Sequence, residues 1–231
     1  MEIRGFNKTT LLDYPGHLAS TIFLGGCNFR CPFCHNGSLV LTPNALPSIP
    51  MDDIFSHLKK RKGILEGVCI TGGEPTLYPG LKGFIEQIKE LGLLVKLDTN
   101  GYNPHILQDL VESNLIDYVA MDVKNSPNKY SLSAGLAIMD FSRIQRSIDF
   151  LIQSKIDYEF RTTIVKEHHT KEDMIGIGHL IKGAKAYYLQ QFKDSDDLIS
   201  QGLTSHTKET LSEYRELLLP FIHLVEIRGV D

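Results

Sequence analysis

Three of the four cysteines in this 231-residue chain fall within eight residues, in Cys27-Asn28-Phe29-Arg30-Cys31-Pro32-Phe33-Cys34. The CxxxCxxC spacing lets three thiolates converge on one inorganic centre, and thiolates suit zinc or iron-sulfur clusters. Zinc asks for a fourth ligand. His35 is the nearest, but it adjoins Cys34, whereas zinc ligand pairs are typically about two to four residues apart so that both side chains turn inward. A 4Fe-4S cluster ordinarily takes four cysteines. The fourth here, Cys69, lies between Val68 and Ile70, where a buried thiol behaves as a small hydrophobe. If Cys69 packs, one iron of such a cluster stays open to an external molecule; if it ligates, the centre is closed and only carries electrons.

The elements that must position these residues show in the periodicity. From Leu18, short apolar runs ending in Gly, Asp or Asn alternate with longer stretches of three- and four-residue apolar spacing. The runs predict strands at 19–24, 67–71, 94–99, 117–123, 158–165 and 186–191, continuously apolar or β-branched as buried parallel strands are. The stretches predict helices at 51–62, 79–91, 104–113, 141–154, 171–182 and 208–219. Asp52 and Asp53 put acid in a first turn, and Asn103-Pro104 sets a cap before a proline at the first helical position. The expected fold is α/β: a partial (β/α)6 TIM-like barrel with parallel strands, one domain over 1–231, with an edge strand at 224–227.

In such folds chemistry gathers at the carboxyl ends of the strands. The cysteine loop follows the first strand, Gly72-Gly73-Glu74-Pro75 follows the second, Asp98-Thr99-Asn100-Gly101 closes the third, and Asp122 and Lys124 close the fourth. Ala120, Asp122 and Lys124 share one strand face, as do Glu159, Arg161 and Thr163. Buried charges need partners, so these are expected to pair with one another or with a ligand.

Composition narrows the partners. The net charge of −4 and the absence of any longer like-charge run than Lys59-Lys60-Arg61-Lys62, a solvated last helical turn, argue against nucleic acid and membrane surfaces. The first eight residues lack a basic region followed by an apolar run, and no stretch approaches the ~18 apolar residues of a membrane span. A cytoplasmic protein is expected, and clustered cysteines in a reducing compartment favour metal over disulfides. His168-His169 has no cysteine or acid at ligand spacing and is expected in a surface loop.

CxxxCxxC after a first strand with Gly-Gly-Glu-Pro after a second resembles the radical S-adenosylmethionine superfamily. The resemblance implies that Cys27, Cys31 and Cys34 hold a 4Fe-4S cluster whose open iron chelates S-adenosylmethionine. The reduced cluster then passes an electron to the sulfonium, and a 5′-deoxyadenosyl radical abstracts a hydrogen atom. It further implies Phe33 beside the adenine, Asn36 near the cofactor, Gly72 and Gly73 giving backbone access to the methionine moiety, and Glu74 accepting from its ammonium.

Cys34-His35-Asn36, the Asp98 to Gly101 loop, Met121-Asp122-Val123-Lys124 and Asp13-Tyr14-Pro15-Gly16 resemble the activating enzymes of glycyl radical enzymes. Within them the chain is most similar to the anaerobic ribonucleoside-triphosphate reductase activating proteins, with the pyruvate formate-lyase activating enzyme as a relative. The resemblance implies His35, Asp122 and Lys124 at S-adenosylmethionine, Arg161 on its carboxylate side, a monovalent cation at Asp98, Thr99 and Asp122, and Asp13 holding a partner's loop. It implies two protein partners: a glycyl radical enzyme as substrate, and flavodoxin or ferredoxin as reductant. Gln190-Gln191-Phe192 stands where the pyruvate formate-lyase branch carries a histidine, and there is no cysteine-rich insertion for further clusters. Two other readings stand beside this one: a radical enzyme acting on a small molecule, as the deazapurine-forming synthases do, and a non-enzymatic zinc or electron-carrying protein.

Overall fold

The computed structural model describes residues 2–230. The strands are β1 (Ile3–Thr10), β2 (Ala19–Leu24), β3 (Gly67–Gly72), β4 (Leu94–Thr99), β5 (Tyr118–Asp122), β6 (Asp157–Ile164), β7 (Ala186–Gln191) and β8 (Leu224–Arg228). The helices are α1 (Gly37–Leu41), α2 (Met51–Lys60), α3 (Leu81–Glu90), α4 (Pro104–Glu112), α5 (Tyr130–Ala134), α6 (Phe141–Gln153), α7 (Lys171–Leu180) and α8 (Lys208–Leu218). Strand order is the chain order throughout. The predicted α/β class with parallel strands is what the chain adopts, and all six predicted strands and six predicted helices form within a few residues of their expected ends.

The chain divides into two compact units. One comprises residues up to 28, 36–99 and 105–119; the other comprises 29–35, 100–104 and 120 onward.

In the first unit β2, β3 and β4 pair in parallel, and β1 pairs antiparallel with β2. Ile22, Val68, Ile70, Val95 and Leu97 are fully buried, as expected of strands covered on both faces. Ile54 and Leu58 of α2 and Phe84, Ile85 and Ile88 of α3 bury one stripe each, at helical spacing. Acid in the first turn of α2 and Lys59 and Lys60 in its last complement the helix dipole, and the basic run from 59 to 62 is exposed as expected.

In the second unit β6, β7 and β8 pair in parallel. Phe160, Ile164, Tyr187, Leu189 and Val225 fill the core from the strands; Ile144, Ile148, Met174, Ile177 and Leu211 meet them from α6, α7 and α8. Thr170 and Asp173 form a reciprocal capping box that starts α7. No helix among the described residues is long and apolar enough to cross a membrane.

Candidate cluster and cofactor site

The predicted residues divide between the units. The first holds Asp13, Cys27, Asn36, Gly72, Gly73, Glu74, Asp98 and Thr99; the second holds Cys31, Phe33, Cys34, His35, Asp122, Lys124 and Arg161.

In the first unit the end of β3 lies against the end of β2. Gly73 donates its N–H to Leu24 O at 2.8 Å, and Glu74 donates to Gly26 O at 2.9 Å. A Cβ on Gly73 would sit 1.8 Å from Gly26 O, and Gly72 combines a φ of +112° with Leu24 O at 2.4 Å from its would-be Cβ. Only glycine fits at either position. Asn36 joins this turn, its side-chain N–H donating to Gly72 O at 3.2 Å.

Glu74 is 1% exposed, and one oxygen, Oε1, accepts from Thr76 N (3.1 Å), Thr76 Oγ1 (2.5 Å) and Thr99 Oγ1 (2.8 Å). A buried carboxylate is retained where several donors hold it. Asp98 is paired with the ammonium of Lys96, a buried lysine two residues earlier on β4 that sequence reasoning passed over. Their shared strand parity was the available signal. Cys69 is fully buried, with Lys96 as its register partner on β4. Asp13 accepts from Thr21 Oγ1 at 2.5 Å, beside the exposed Leu11 and Leu12.

In the second unit the loop from Phe29 to His35 is fastened along its length. Arg30 N donates to Ala134 O (2.9 Å), Ser200 N donates to Pro32 O (2.9 Å), and Cys34 N turns back to Cys31 O (3.0 Å). Gly135, in the left-handed region at φ +67°, lets the loop come close: its Cβ would fall 2.0 Å from Arg30 O. His35, exposed, bonds the Lys193 carbonyl through Nε2 at 2.6 Å.

Phe33 is buried with its ring edge-on to His168 at 5.4 Å and to His169 at 6.0 Å. These histidines, expected in a surface loop, are 8% and 0% exposed. Their burial follows from polar satisfaction: Val165 N donates to His169 Nδ1 (3.0 Å), and Nε2 reaches Lys124 O (3.0 Å). Burial pushes His169 down to about 4, keeping it neutral.

Asp122 links the charged residues of this unit. Its Oδ1 accepts from Arg161 Nε at 2.6 Å and its Oδ2 from Lys124 Nζ at 2.8 Å. Burial works against the carboxylate, but the two cations outweigh it and hold its pKa well below the usual range. Lys124 is raised in turn: burial opposes its charge, and Asp122 more than restores it. The charged residues thus pair with one another as expected, except that Glu159 takes a different partner. It is 1% exposed and held by both terminal nitrogens of Arg228, at 2.8 and 2.9 Å, while that guanidinium lies 3.3 Å from the Tyr188 ring centroid.

None of the four cysteines is in a disulfide. Burial pushes Cys31 up to about 11 despite the nearby Lys124 ammonium, so its deprotonation needs further positive charge such as a metal supplies. Among the described residues no three His, Cys, Asp or Glu side chains form a ready-made metal cage. Donor chemistry is what fits: three thiols on one eight-residue loop and none in a disulfide.

Residues 21–181 match the Radical SAM superfamily, and the chain belongs to it. The superfamily implies a 4Fe-4S cluster and S-adenosylmethionine rather than structural zinc. The chain is 32% identical, over 99% of its own length and 96% of the other's, to a Methanocaldococcus jannaschii protein provisionally named a glycyl-radical enzyme activating enzyme. It is 35% identical to the 7-carboxy-7-deazaguanine synthase of Neisseria meningitidis serogroup B, over 47% of this chain and 45% of that one. Among solved structures, Streptococcus suis SuiB superposes with a TM-score of 0.71 at 15% identity, over 91% of this chain and 49% of that one, a likeness of fold.

Proposed function

We propose that this chain is an activase that uses a 4Fe-4S cluster and S-adenosylmethionine to place a glycyl radical on a partner enzyme, with anaerobic ribonucleoside-triphosphate reductase the first candidate and pyruvate formate-lyase the second. The observation that carries this reading is extent: likeness to the Methanocaldococcus jannaschii protein runs over 99% of the chain, whereas the 7-carboxy-7-deazaguanine synthases of Neisseria meningitidis and Koribacter versatilis match 47% and 68% of it. Cys27, Cys31 and Cys34 hold the cluster, and Cys69, kept in the core beside Lys96, leaves one iron for the cofactor. Once bound and reduced by flavodoxin or ferredoxin, this pair supplies hydrogen-atom abstraction.

The chain's own residues bind and orient. Gly72 and Gly73 leave room for the methionine moiety, and Asn36 ties the residue after the cysteine loop to that turn. Glu74, fixed through Oε1 by two threonines, receives the ammonium. Phe33, held edge-on by His168 and His169, stands beside the adenine. Asp122 holds Lys124 for contact with S-adenosylmethionine and Arg161 for its carboxylate side, and His35 steadies the loop end through Lys193. Asp13, with the exposed Leu11 and Leu12 next to it, meets the partner's glycine loop.

Anaerobic incubation of reduced protein with S-adenosylmethionine and each candidate partner is expected to give a glycyl radical doublet by EPR. Cofactor cleavage with no doublet on any glycyl radical enzyme defeats the activase reading. A second reading, action on a small molecule, is favoured by the synthase likeness, and formation of a carboxydeazaguanine product would select it.

A further inference from the structure

The resemblance in the sequence gives Asp98, Thr99 and Asp122 a monovalent cation. The donors found in the structure do not suit one. Within the first unit Asp98 already carries a fixed positive charge, because Lys96 lies on the same face of β4 and places its ammonium on Oδ1. The two side chains are only 3% and 11% exposed. The same ammonium lies 3.7 Å from Sγ of Cys69, its register partner on β3, so the lysine stem is enclosed by the sheet. Within the second unit Asp122 is met by both Lys124 and Arg161. Each carboxylate assigned to a mobile cation therefore has a protein cation of its own unit. A metal ion added beside either would stand next to a protein cation at low dielectric, and the further carboxylate that Thr99 reaches, Glu74, is the one proposed to take the cofactor's ammonium.

We infer that Lys96 is a built-in monovalent cation: a positioning residue whose ammonium gives Asp98 the charge that sodium or potassium would otherwise bring. Cofactor binding by this chain is then independent of those ions. The inference rests on the S-adenosylmethionine site proposed above.

The test compares cluster-loaded wild type, Lys96→Met and Lys96→Arg. Thallium(I), a potassium surrogate, is titrated by NMR, and S-adenosylmethionine affinity is measured by equilibrium dialysis in potassium chloride and in choline chloride at equal ionic strength, where screening is the same. Wild type is expected to show no bound thallium signal and an affinity change below about twofold between salts. Lys96→Met is expected to bind thallium and to lose at least about tenfold in affinity in choline, recovered in potassium. Lys96→Arg should remain insensitive. A merely structural lysine would lower stability in the Met variant without creating a potassium response.

A thallium site in wild type, or clear potassium dependence of its affinity, overturns the inference, as does a folded Lys96→Met variant that ignores potassium. If Lys96→Met does not fold, the two wild-type measurements decide. If wild type binds no S-adenosylmethionine in either salt, the cofactor reading fails while the thallium titration still judges Lys96.

Discussion

Replacing Asp122 by Asn removes one negative charge between two cations while keeping the side-chain shape. The Arg161 and Lys124 contacts are 2.6 and 2.8 Å, and the three side chains are 17%, 16% and 27% exposed for Arg161, Lys124 and Asp122. Removing one partner of a fully buried pair costs about 3–5 kcal/mol; partial exposure reduces this to roughly 2–4 kcal/mol. At about 2.1 cal/mol/K per residue, the unfolding entropy of 231 residues is about 0.5 kcal/mol/K, so the midpoint should fall by roughly 4–8 °C at neutral pH.

The pH dependence follows from the sign of the shift. Asp122 is depressed in the folded protein, so its contribution is complete above the unfolded value near 4 and is lost as pH falls toward the lower folded value. The gap between wild type and Asp122→Asn should therefore be constant from pH 6 to 8, where the carboxylate is ionised in both states, and narrow below about pH 4. Anaerobic thermal melts of both proteins across this range measure it. A neutral-pH loss under about 1 kcal/mol, or a gap that does not change with acid, refutes the ion-pair account.

Three further outcomes follow. Gly73→Ala drives a methyl group into Gly26 O, so the turn must open; S-adenosylmethionine binding by dialysis should fall by about tenfold or more even where the protein still folds. Glu159→Gln leaves Arg228 without its bidentate carboxylate, which should cost about 1–3 kcal/mol and speed amide exchange in β8, seen by hydrogen-exchange mass spectrometry. Cys69→Ala should leave iron and sulfide content unchanged, whereas alanine at Cys27, Cys31 or Cys34 should lower both.

Much of the fold was legible because buried parallel strands announce themselves: Ala19–Leu24, Leu94–Thr99 and Ala186–Gln191 form with their predicted ends. β1 escaped prediction because it lies antiparallel with its middle exposed, and its mixed polar sequence shows no apolar period. The five-residue helices α1 and α5 are too short to display a stripe. At the candidate site, strand parity correctly implied that Asp122 and Arg161 would find each other. It failed for Glu159, since the partner, Arg228, comes 69 residues later on an edge strand whose register the sequence does not disclose. Lys96 was passed over because a lysine inside an apolar run reads as an outward face, the burial of His169 because its partners are backbone groups, which carry no side-chain signature, and that of His168 because its partner, the Ser133 hydroxyl, lies 35 residues earlier.

In the proposed function three thiolates hold the cluster and one iron stays open to the cofactor. The most direct measurement is the EPR spectrum of the reduced protein before and after S-adenosylmethionine is added. A shift of the cluster's g values on addition is the predicted result; a 4Fe-4S spectrum that the cofactor leaves unchanged would mean a closed centre and contradict the account.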